Sequence, residues 1–172
     1  MGELLTNIGR AAAFEDSGAL QSLLAKLDTP SDIDTCSFGK LSPLILAAMN
    51  GNTENVKLLL ERGADVNKVC DGTTALIQTS HSAIPTTIDI LDLLLQKNPN
   101  ESIKDKYGHT ALWTVDTRFA QFEEEPFTTK RRMLKAYIEK KEGAKGGARN
   151  RRSRKVRKSR RKHGVKTYRH TR

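Results

Sequence analysis

Aromatic side chains are scarce. One Trp, three Tyr and five Phe make up 5% of the 172 residues, and apolar residues only 37%. That is too little for the thick core of a compact globule of this length, and it points to a thin, elongated one. No long apolar run is present, so a membrane-spanning helix is not expected, and the N-terminus lacks the charged–apolar–small order of a leader. A soluble, intracellular protein is the expectation. Cys36 and Cys70 are the two cysteines, with no CxxC spacing, which argues against a structural zinc or a disulfide framework; both read as free thiols. The phosphate-cradling GxxxxGK[ST] and GxGxxG patterns and the metal-binding HExxH pattern are missing. Of the four histidines, His81 stands between Ser80 and Ser82 without an identifiable third group. His109 stands at an exposed turn position, and His163 and His170 lie in a segment without Cys or carboxylate partners. Neither a catalytic set, a metal nor a cofactor is expected. Acidic residues are absent from 143–172, which holds 14 Lys or Arg; residues 1–142 hold 16 basic and 20 acidic residues, a net of −4 within a chain of net +10. The chain is a mildly acidic body with a strongly basic tail.

What the chain does have is clearest from Ser42 to Asn67, SPLILAAMNGNTENVKLLLERGADVN. Ser42 is placed to cap a helix, and Pro43 sits at its first position, where the missing N–H costs nothing. Leu44, Ala47 and Ala48 share one helical face, and the small alanines allow close helix approach. Gly51 supplies the turn, Asn52 or Thr53 caps a second helix striped by Val56, Leu59 and Leu60, and Gly63 ends it. A helical hairpin of this size cannot bury its own apolar face and needs neighbours like itself.

The chain supplies them. Ser42, Thr74 and Thr110 open equivalent first helices at spacings of 32 and 36. A worn first unit carries Ala11-Ala12 (or Ala12-Ala13) in place of Ala47-Ala48, a Leu20/Leu23/Leu24/Leu27 stripe, and Asp32-Ile33-Asp34 in place of Asp65-Val66-Asn67. Thr29-Pro30-Ser31 breaks its second helix. The third unit begins at Asp71-Gly72-Thr73-Thr74-Ala75-Leu76, has its inter-helix turn stretched by Ala83-Ile84-Pro85, and ends on Asn98 instead of glycine. The fourth begins at Asp105-Lys106-Tyr107-Gly108-His109-Thr110-Ala111-Leu112, makes an excursion from Phe119 to Phe127, and closes with a helix over about 128–141. Trp113 fits either the core or the inner surface, and its size in a thin repeat favours core. Glu123–Glu125 reads as a solvated acidic loop that Lys130, Arg131, Arg132 and Lys135 can neutralise.

Gly-x-Thr-Ala-Leu or Ser-Pro-Leu, then Ala-Ala, then Leu-Leu-Leu, then Gly-Ala-Asp-Val-Asn, at a period near 33, resembles the ankyrin repeat. SPLILAA and VKLLLERGADVN carry the resemblance in unit two, DGTTAL and LDLLL in unit three, DKYGHTAL in unit four. It implies an all-α solenoid of about four helix–turn–helix units with hairpin-like fingers, over roughly 4–36, 37–69, 70–104 and 105–142, as one domain 1–142. Departures are visible: Ile45, Ile77 and Trp113 replace a frequent His, and Thr79-Ser80 replaces Ala-Ala in unit three. An irregular stack is therefore expected near Pro85 and Glu123. The resemblance also implies a protein partner on the concave face. Carried onto this chain, it selects finger residues Lys40, Lys68, Val69, Asp71, Lys106, Tyr107 and His109, and helix-end residues Met49, Asn50, His81 and Ser82.

After Glu142, Gly143-Ala144-Lys145-Gly146-Gly147-Ala148 reads as a flexible linker, so that a basic tail over 143–172 is expected to be disordered in isolation. Arg149, Arg151, Arg152, Arg154, Lys155, Arg157, Lys158, Arg160, Arg161 and Lys162 suit phosphate backbones or an import receptor. Tyr168 is the tail's lone aromatic, too little for a base-stacking platform, so contact with nucleic acid would be sequence-nonspecific. Ser153 and Ser159, flanked by cations, are candidate phosphorylation sites. The expected function is a monomeric, non-enzymatic adaptor: the ankyrin face holds a protein, and the tail contacts nucleic acid or directs the chain to the nucleus or nucleolus, with cytoplasm or virion as other locations. The alternative is a virion or ribonucleoprotein component in which the tail binds nucleic acid and the body is a scaffold. The basic tail gives the chain a likeness in style to ankyrin proteins of large DNA viruses.

Overall fold

The computed structural model describes residues 1–14, 17–27, 29–118 and 125–161, with side chains left out at Pro30, Arg118 and 145–161. The described residues form eight α-helices: α1 (Gly2–Phe14), α2 (Ser17–Leu24), α3 (Pro43–Met49), α4 (Thr53–Glu61), α5 (Ala75–His81), α6 (Thr87–Gln96), α7 (Ala111–Trp113) and α8 (Phe127–Arg161). Short 3-10 turns cover Pro30–Asp34 and Phe38–Lys40, and a π-turn over Thr114–Arg118 continues α7. The chain divides into two compact units, Met1–Lys135 and one beginning at Ala136.

In the first unit the helices come in pairs. First helices pack in a row, α1 on α3, α3 on α5, α5 on α7, while α2, α4 and α6 form a second row. Each first helix from α3 on begins where the sequence places it. The hydroxyls of Ser42, Thr74 and Thr110 accept from the amides of Ile45, Ile77 and Trp113, each three residues on. Asn52, not Thr53, caps α4. The core is one continuous cluster holding Ile8, Leu20, Leu44, Leu59, Ile77, Leu91, Leu94 and Leu134. Ala11, Ala12, Ala47 and Ala48 are fully buried at the first-row contacts, where the absence of longer side chains lets backbones approach. In α5 the same contact is made by Thr79 and Ser80, also fully buried. Their hydroxyls donate to the carbonyls of Ala75 (2.8 Å) and Leu76 (2.9 Å), so that no polar group is stranded.

The repeat boundaries share one device. A polar side chain of a second helix, or of the turn leading into it, donates to carbonyls where the preceding unit's first helix ends. Buried Asn55 of α4 donates its amide to Ala11 (3.2 Å) and Ala12 (3.3 Å) at the end of α1. Thr86, just before α6, donates to Gly51 O at 2.9 Å. Lys130 of α8 donates its ammonium to Thr79 O and Ser82 O, both at 2.6 Å, at the end of α5. The last carbonyls of a helix lack intrahelical partners and carry the negative end of its dipole, so a donor there is stabilising. The stretched turn at Ala83–Thr86 is accommodated by folding onto Gly51. Gly51 has φ +74°, and a Cβ there would stand 2.7 Å from Thr86 Oγ1 and 2.8 Å from Ile84, so both its conformation and its bareness are used.

Several expectations are corrected. Trp113 is not core: it is 37% exposed because α7 turns it outward onto His109. Lys130 does not neutralise the acidic loop but is fully buried. Arg131 and Lys135 reach Asp116, at 3.3 and 2.8 Å, and Arg131 also donates to Val115 O. Glu125 accepts from the hydroxyls of Thr128 (2.8 Å) and Thr129 (2.6 Å) at the start of α8, which together with the charge of Arg132 hold its carboxyl below the usual range. Glu123 and Glu124 lie outside the described residues. In the second unit, α8 runs on through Gly143–Ala148, where a flexible linker is expected, to Arg161. Three glycines at about 1 kcal/mol each weaken that helix, but Ala, Lys and Arg are strong helix formers and no proline interrupts it.

Candidate functional site

The fingers join successive units. After α4, Gly63 turns the chain with φ +87°, Asp65 Oδ1 accepts from Asn67 N–H, and the chain reaches Cys70-Asp71-Gly72-Thr73. There Cys70 and Thr73 exchange both backbone hydrogen bonds, at 3.0 and 3.1 Å, around Asp71 (φ +47°) and Gly72 (φ +67°). Two central residues with positive φ make a tight hairpin turn, a role suited to Asp-Gly. The next finger docks on it: Lys106 N–H donates to Gly72 O at 3.1 Å, and a Cβ at Gly72 would meet Lys106 at 3.0 Å. Fingers are also tied away from the tips. Asp34 accepts from Asp65 N–H at 3.0 and 3.2 Å; burial lifts its carboxyl above the usual range, and that amide only partly draws it back. Asn67 Oδ1 accepts from Asn100 N–H at 2.7 Å.

Between the fingers and α5 lies a groove of about 310 Å³. Gly39 and Leu41 form one wall, Asp71, Gly72 and Thr73 the middle, Asp105, Lys106 and Tyr107 the other wall, and Ile77, Gln78 and His81 of α5 the floor. Four of the sequence-selected residues therefore converge: Asp71, His81, Lys106 and Tyr107. Lys40, Met49, Asn50, Lys68 and His109 are not among the lining. Lys40 is exposed with φ +60°, Met49 is exposed, Lys68 is half-buried, and Asn50 turns its amide back to Leu46 O. Sequence reasoning missed Thr73, Ile77, Gln78 and Asp105; only a register fixed to the single residue would have shown that they face the same space.

The far wall is held together by hydrogen bonds and ring stacking. Asp105 Oδ1 accepts from Tyr107 N–H and His109 N–H, both at 2.8 Å, and its Oδ2 lies 3.6 Å from His109 Nδ1. Desolvation pushes the Asp105 carboxyl up, but the two amides and the nearby histidines outweigh it and hold it below the usual range. His109 stacks on Trp113 with centroids 3.5 Å apart and planes within 5°. Tyr107 is 70% exposed, lies 6.2 Å from His109 and has Lys106 Nζ over its ring at 5.4 Å. His81 Nε2 is 3.2 Å from Thr114 Oγ1, joining floor to fourth unit. Thr73 is 93% buried (7% exposed) and its hydroxyl has no hydrogen-bond partner among the described residues. The groove thus offers an unused hydroxyl, a carboxylate, an ammonium and an open aromatic face, a set suited to hydrogen-bonding and stacking against another chain. Among the described residues, no group of three or more His, Cys, Asp or Glu is placed to hold a metal ion, and no helix is long and apolar enough to cross a membrane.

The near wall corrects the reading of the cysteines. Cys36 and Cys70 are joined by a disulfide, with Cα atoms 5.8 Å apart. Their separation of 34 residues is one repeat period, so the stack brings neighbouring fingers together at this point. The spacing test that excludes a zinc knuckle does not see this; comparison with the repeat period would have. Of the tail residues, Arg149, Arg151, Arg152, Arg154, Lys155, Arg157, Lys158, Arg160 and Arg161 lie on α8, and Lys162 lies outside the described residues.

Comparison with known proteins identifies relatives that carry ankyrin repeats. The chain is 38% identical over 102 residues to the ankyrin repeat and KH domain-containing protein mask of Drosophila melanogaster, covering 59% of this chain and 2% of that protein. It is 50% identical over 50 residues to the probable E3 ubiquitin-protein ligase XBOS31 of Oryza sativa subsp. japonica, covering 29% and 11%. It is 31% identical over 86 residues to the ankyrin repeat and SAM domain-containing protein 6 of Rattus norvegicus, covering 49% and 9%. The chain therefore spans a small part of each relative's length. A family model described as ankyrin repeats (3 copies) matches residues 8–105, more than half of the chain, and the chain belongs to the ankyrin-repeat family.

Proposed function

We propose that the chain is a non-enzymatic protein-interaction adaptor whose groove between fingers one to three and α5 receives a segment of a partner protein. Ankyrin repeats as a class mediate protein–protein interaction, and the proteins that carry them are usually scaffolds. The observation that carries the reading here is the convergence of Asp71, His81, Lys106 and Tyr107 on one groove that also holds the unpartnered Thr73 hydroxyl. A volume of about 310 Å³ suits a few side chains of a loop or extended segment. The basic residues from Arg149 to Lys162 form the second contact, to nucleic acid phosphates or an import receptor, and so place the complex in the nucleus. If six to eight of them meet duplex phosphates, the logarithm of the association constant falls with the logarithm of salt at a slope of roughly −5 to −7.

The test is affinity capture with the full chain, with Asp71→Arg/Lys106→Glu/Tyr107→Ala, and with those tail cations changed to Gln, each with and without nuclease. The groove variant is expected to lose the protein partner and keep nucleic acid; the tail variant is expected to do the reverse. Retention of every protein by the groove variant overturns the reading. Loss of all partners from the tail variant favours a nucleic-acid-packaging role, with the repeats as scaffold.

A further inference from the structure

The Cys36–Cys70 disulfide has two unlike ends. Cys36 is exposed, on the loop between the Pro30–Asp34 and Phe38–Lys40 turns. Cys70 is 3% exposed, at the base of the second finger's tight turn. Thiol–disulfide exchange needs a thiolate to reach one sulfur, so access decides which is attacked and which leaves. The bridge also sits at a mechanically distinct place. Fingers two and three are joined at the groove by the backbone bond from Lys106 to Gly72; fingers one and two are joined there by the disulfide. On each side of it a non-glycine residue is held at positive φ, Lys40 at +60° and Asp71 at +47°, a conformation L side chains adopt at a cost. Gly39 and Leu41, three and five residues from Cys36, form the groove's near wall, and Asp71, beside Cys70, its middle.

We propose that Cys36 is a thiol-exchange site, at which low-molecular-weight thiols open the disulfide, and that opening it releases the near wall of the groove. A thiolate RS⁻ attacks the Cys36 sulfur; the S–S bond breaks, R–S–S–Cys36 forms, and Cys70 leaves as a thiolate that takes a proton from water. A second RS⁻ attacks the R sulfur of the mixed disulfide, releasing RSSR and the Cys36 thiolate. The protein disulfide is reduced by two electrons and two RSH are oxidised to RSSR. With the bridge closed, residues 36–41 are fixed against the second finger and the groove keeps its shape. With it open, Gly39–Lys40 are free to relax out of the left-handed region, while the Asp71-Gly72 turn is kept by the Cys70–Thr73 backbone bonds. The chemistry at Cys36 stands on burial and access alone; its effect on binding rests on the groove as proposed above.

The test uses the full chain in glutathione. Under limiting reduced glutathione with acid quenching, mass spectrometry is expected to find the trapped adduct on Cys36 at least tenfold more often than on Cys70. With oxidised glutathione, Cys70→Ser is expected to be modified at Cys36 at least tenfold faster than Cys36→Ser at Cys70, and 6 M urea is expected to abolish that difference, which guards against variants that simply fail to fold. Equal modification of the two cysteines in the folded wild-type chain overturns the site. Amide exchange of 37–42 is expected to rise severalfold on full reduction while α4 and the turn at 70–73 stay protected; unchanged exchange of 37–42 overturns the control of the groove. Neither measurement needs a partner, so failure here is distinct from failure of the capture experiment.

Discussion

Lys130 should make stability rise with pH where most proteins lose it. Its side chain is fully buried, and burial lowers its pKa from 10.5 to about 8. Between these values the unfolded chain binds a proton that the native chain has released, so stability increases as pH rises. Below about pH 8 the native state carries the full cost of the buried charge, and above 10.5 it carries none. The shift corresponds to roughly 3 kcal/mol. The neutral amine keeps two N–H donors, enough for Thr79 O and Ser82 O, so the end of α5 stays capped and far-UV dichroism should not change. The comparison is urea unfolding of wild type and Lys130→Met at pH 7 and pH 10.5. Taking the denaturant slope as about 2 kcal/mol per M, the wild-type midpoint should gain roughly 1.5 M relative to the variant over that interval. The variant loses the charge but leaves two carbonyls without their donor, at about 1–3 kcal/mol each, so its absolute stability at pH 7 is not the discriminating number. If the two proteins respond to pH alike, Lys130 is hydrated and the description of the α5–α8 boundary is wrong.

Three further outcomes follow from the same contacts. Leu59→Ala should cost about 2–5 kcal/mol, because Leu59 is fully buried in the continuous core. Calorimetry should show both flanking units loosening with it, since solenoid stability couples nearest neighbours; a wild-type melting curve would contradict the register. Replacing both cysteines by Ala should lower stability by about 2–4 kcal/mol, as expected for a loop of 34 residues, and should remove the difference between reducing and oxidising buffer in thermal melts. Asp105→Asn should be less stable than wild type at neutral pH. The deficit should shrink as pH falls below the ordinary value of 3.8, because a carboxylate held below that value by Tyr107 and His109 amides contributes stability that is lost on protonation; chemical denaturation at pH 7 and pH 3 measures it.

The parts of this protein that were legible in its sequence are those that local chemistry decides. A hydroxyl followed by a small-residue face and a glycine or asparagine exit specifies a short helix regardless of neighbours, and Ser42, Thr74, Thr110, Gly51, Gly63 and Asn98 all take the positions their residue types imply. Asn98 at φ +54° takes the left-handed turn where unit two uses Gly63. Contacts one period apart were harder, because their partners are determined by stacking. Asn55, Thr86 and Lys130 look like ordinary polar residues near the start of helices, and nothing local marks them as donors to the unit before. Lys130 in particular reads as a surface cation among Arg131, Arg132 and Lys135, and only the helical phase of α8 against α5 turns it inward. The same reason hides the disulfide: 34 residues is meaningless as a loop and decisive as a repeat.

Those boundary bonds also account for how an irregular stack keeps a defined groove. Regular units could rely on identical apolar faces, but unit three has hydroxyls in place of alanines and a lengthened turn. Unit four has a three-residue first helix followed by a π-turn. Apolar packing is non-directional and tolerates sliding; a hydrogen bond to a helix-end carbonyl does not, because a shift of an ångström or two leaves both partners unsatisfied. One such side chain at each junction, Asn55, Thr86 and Lys130 in turn, fixes the offset between units on the helix side, and Asp34, Asn67 and the disulfide fix it on the finger side. The floor of the groove belongs to α5, the helix whose end Lys130 holds, and its near wall to the loop Cys36 holds. Substitutions at Lys130 and Cys36 should therefore alter binding in the groove although neither residue lines it, whereas Leu134, buried beside Lys130 on α8 without a polar link to α5, should change stability alone.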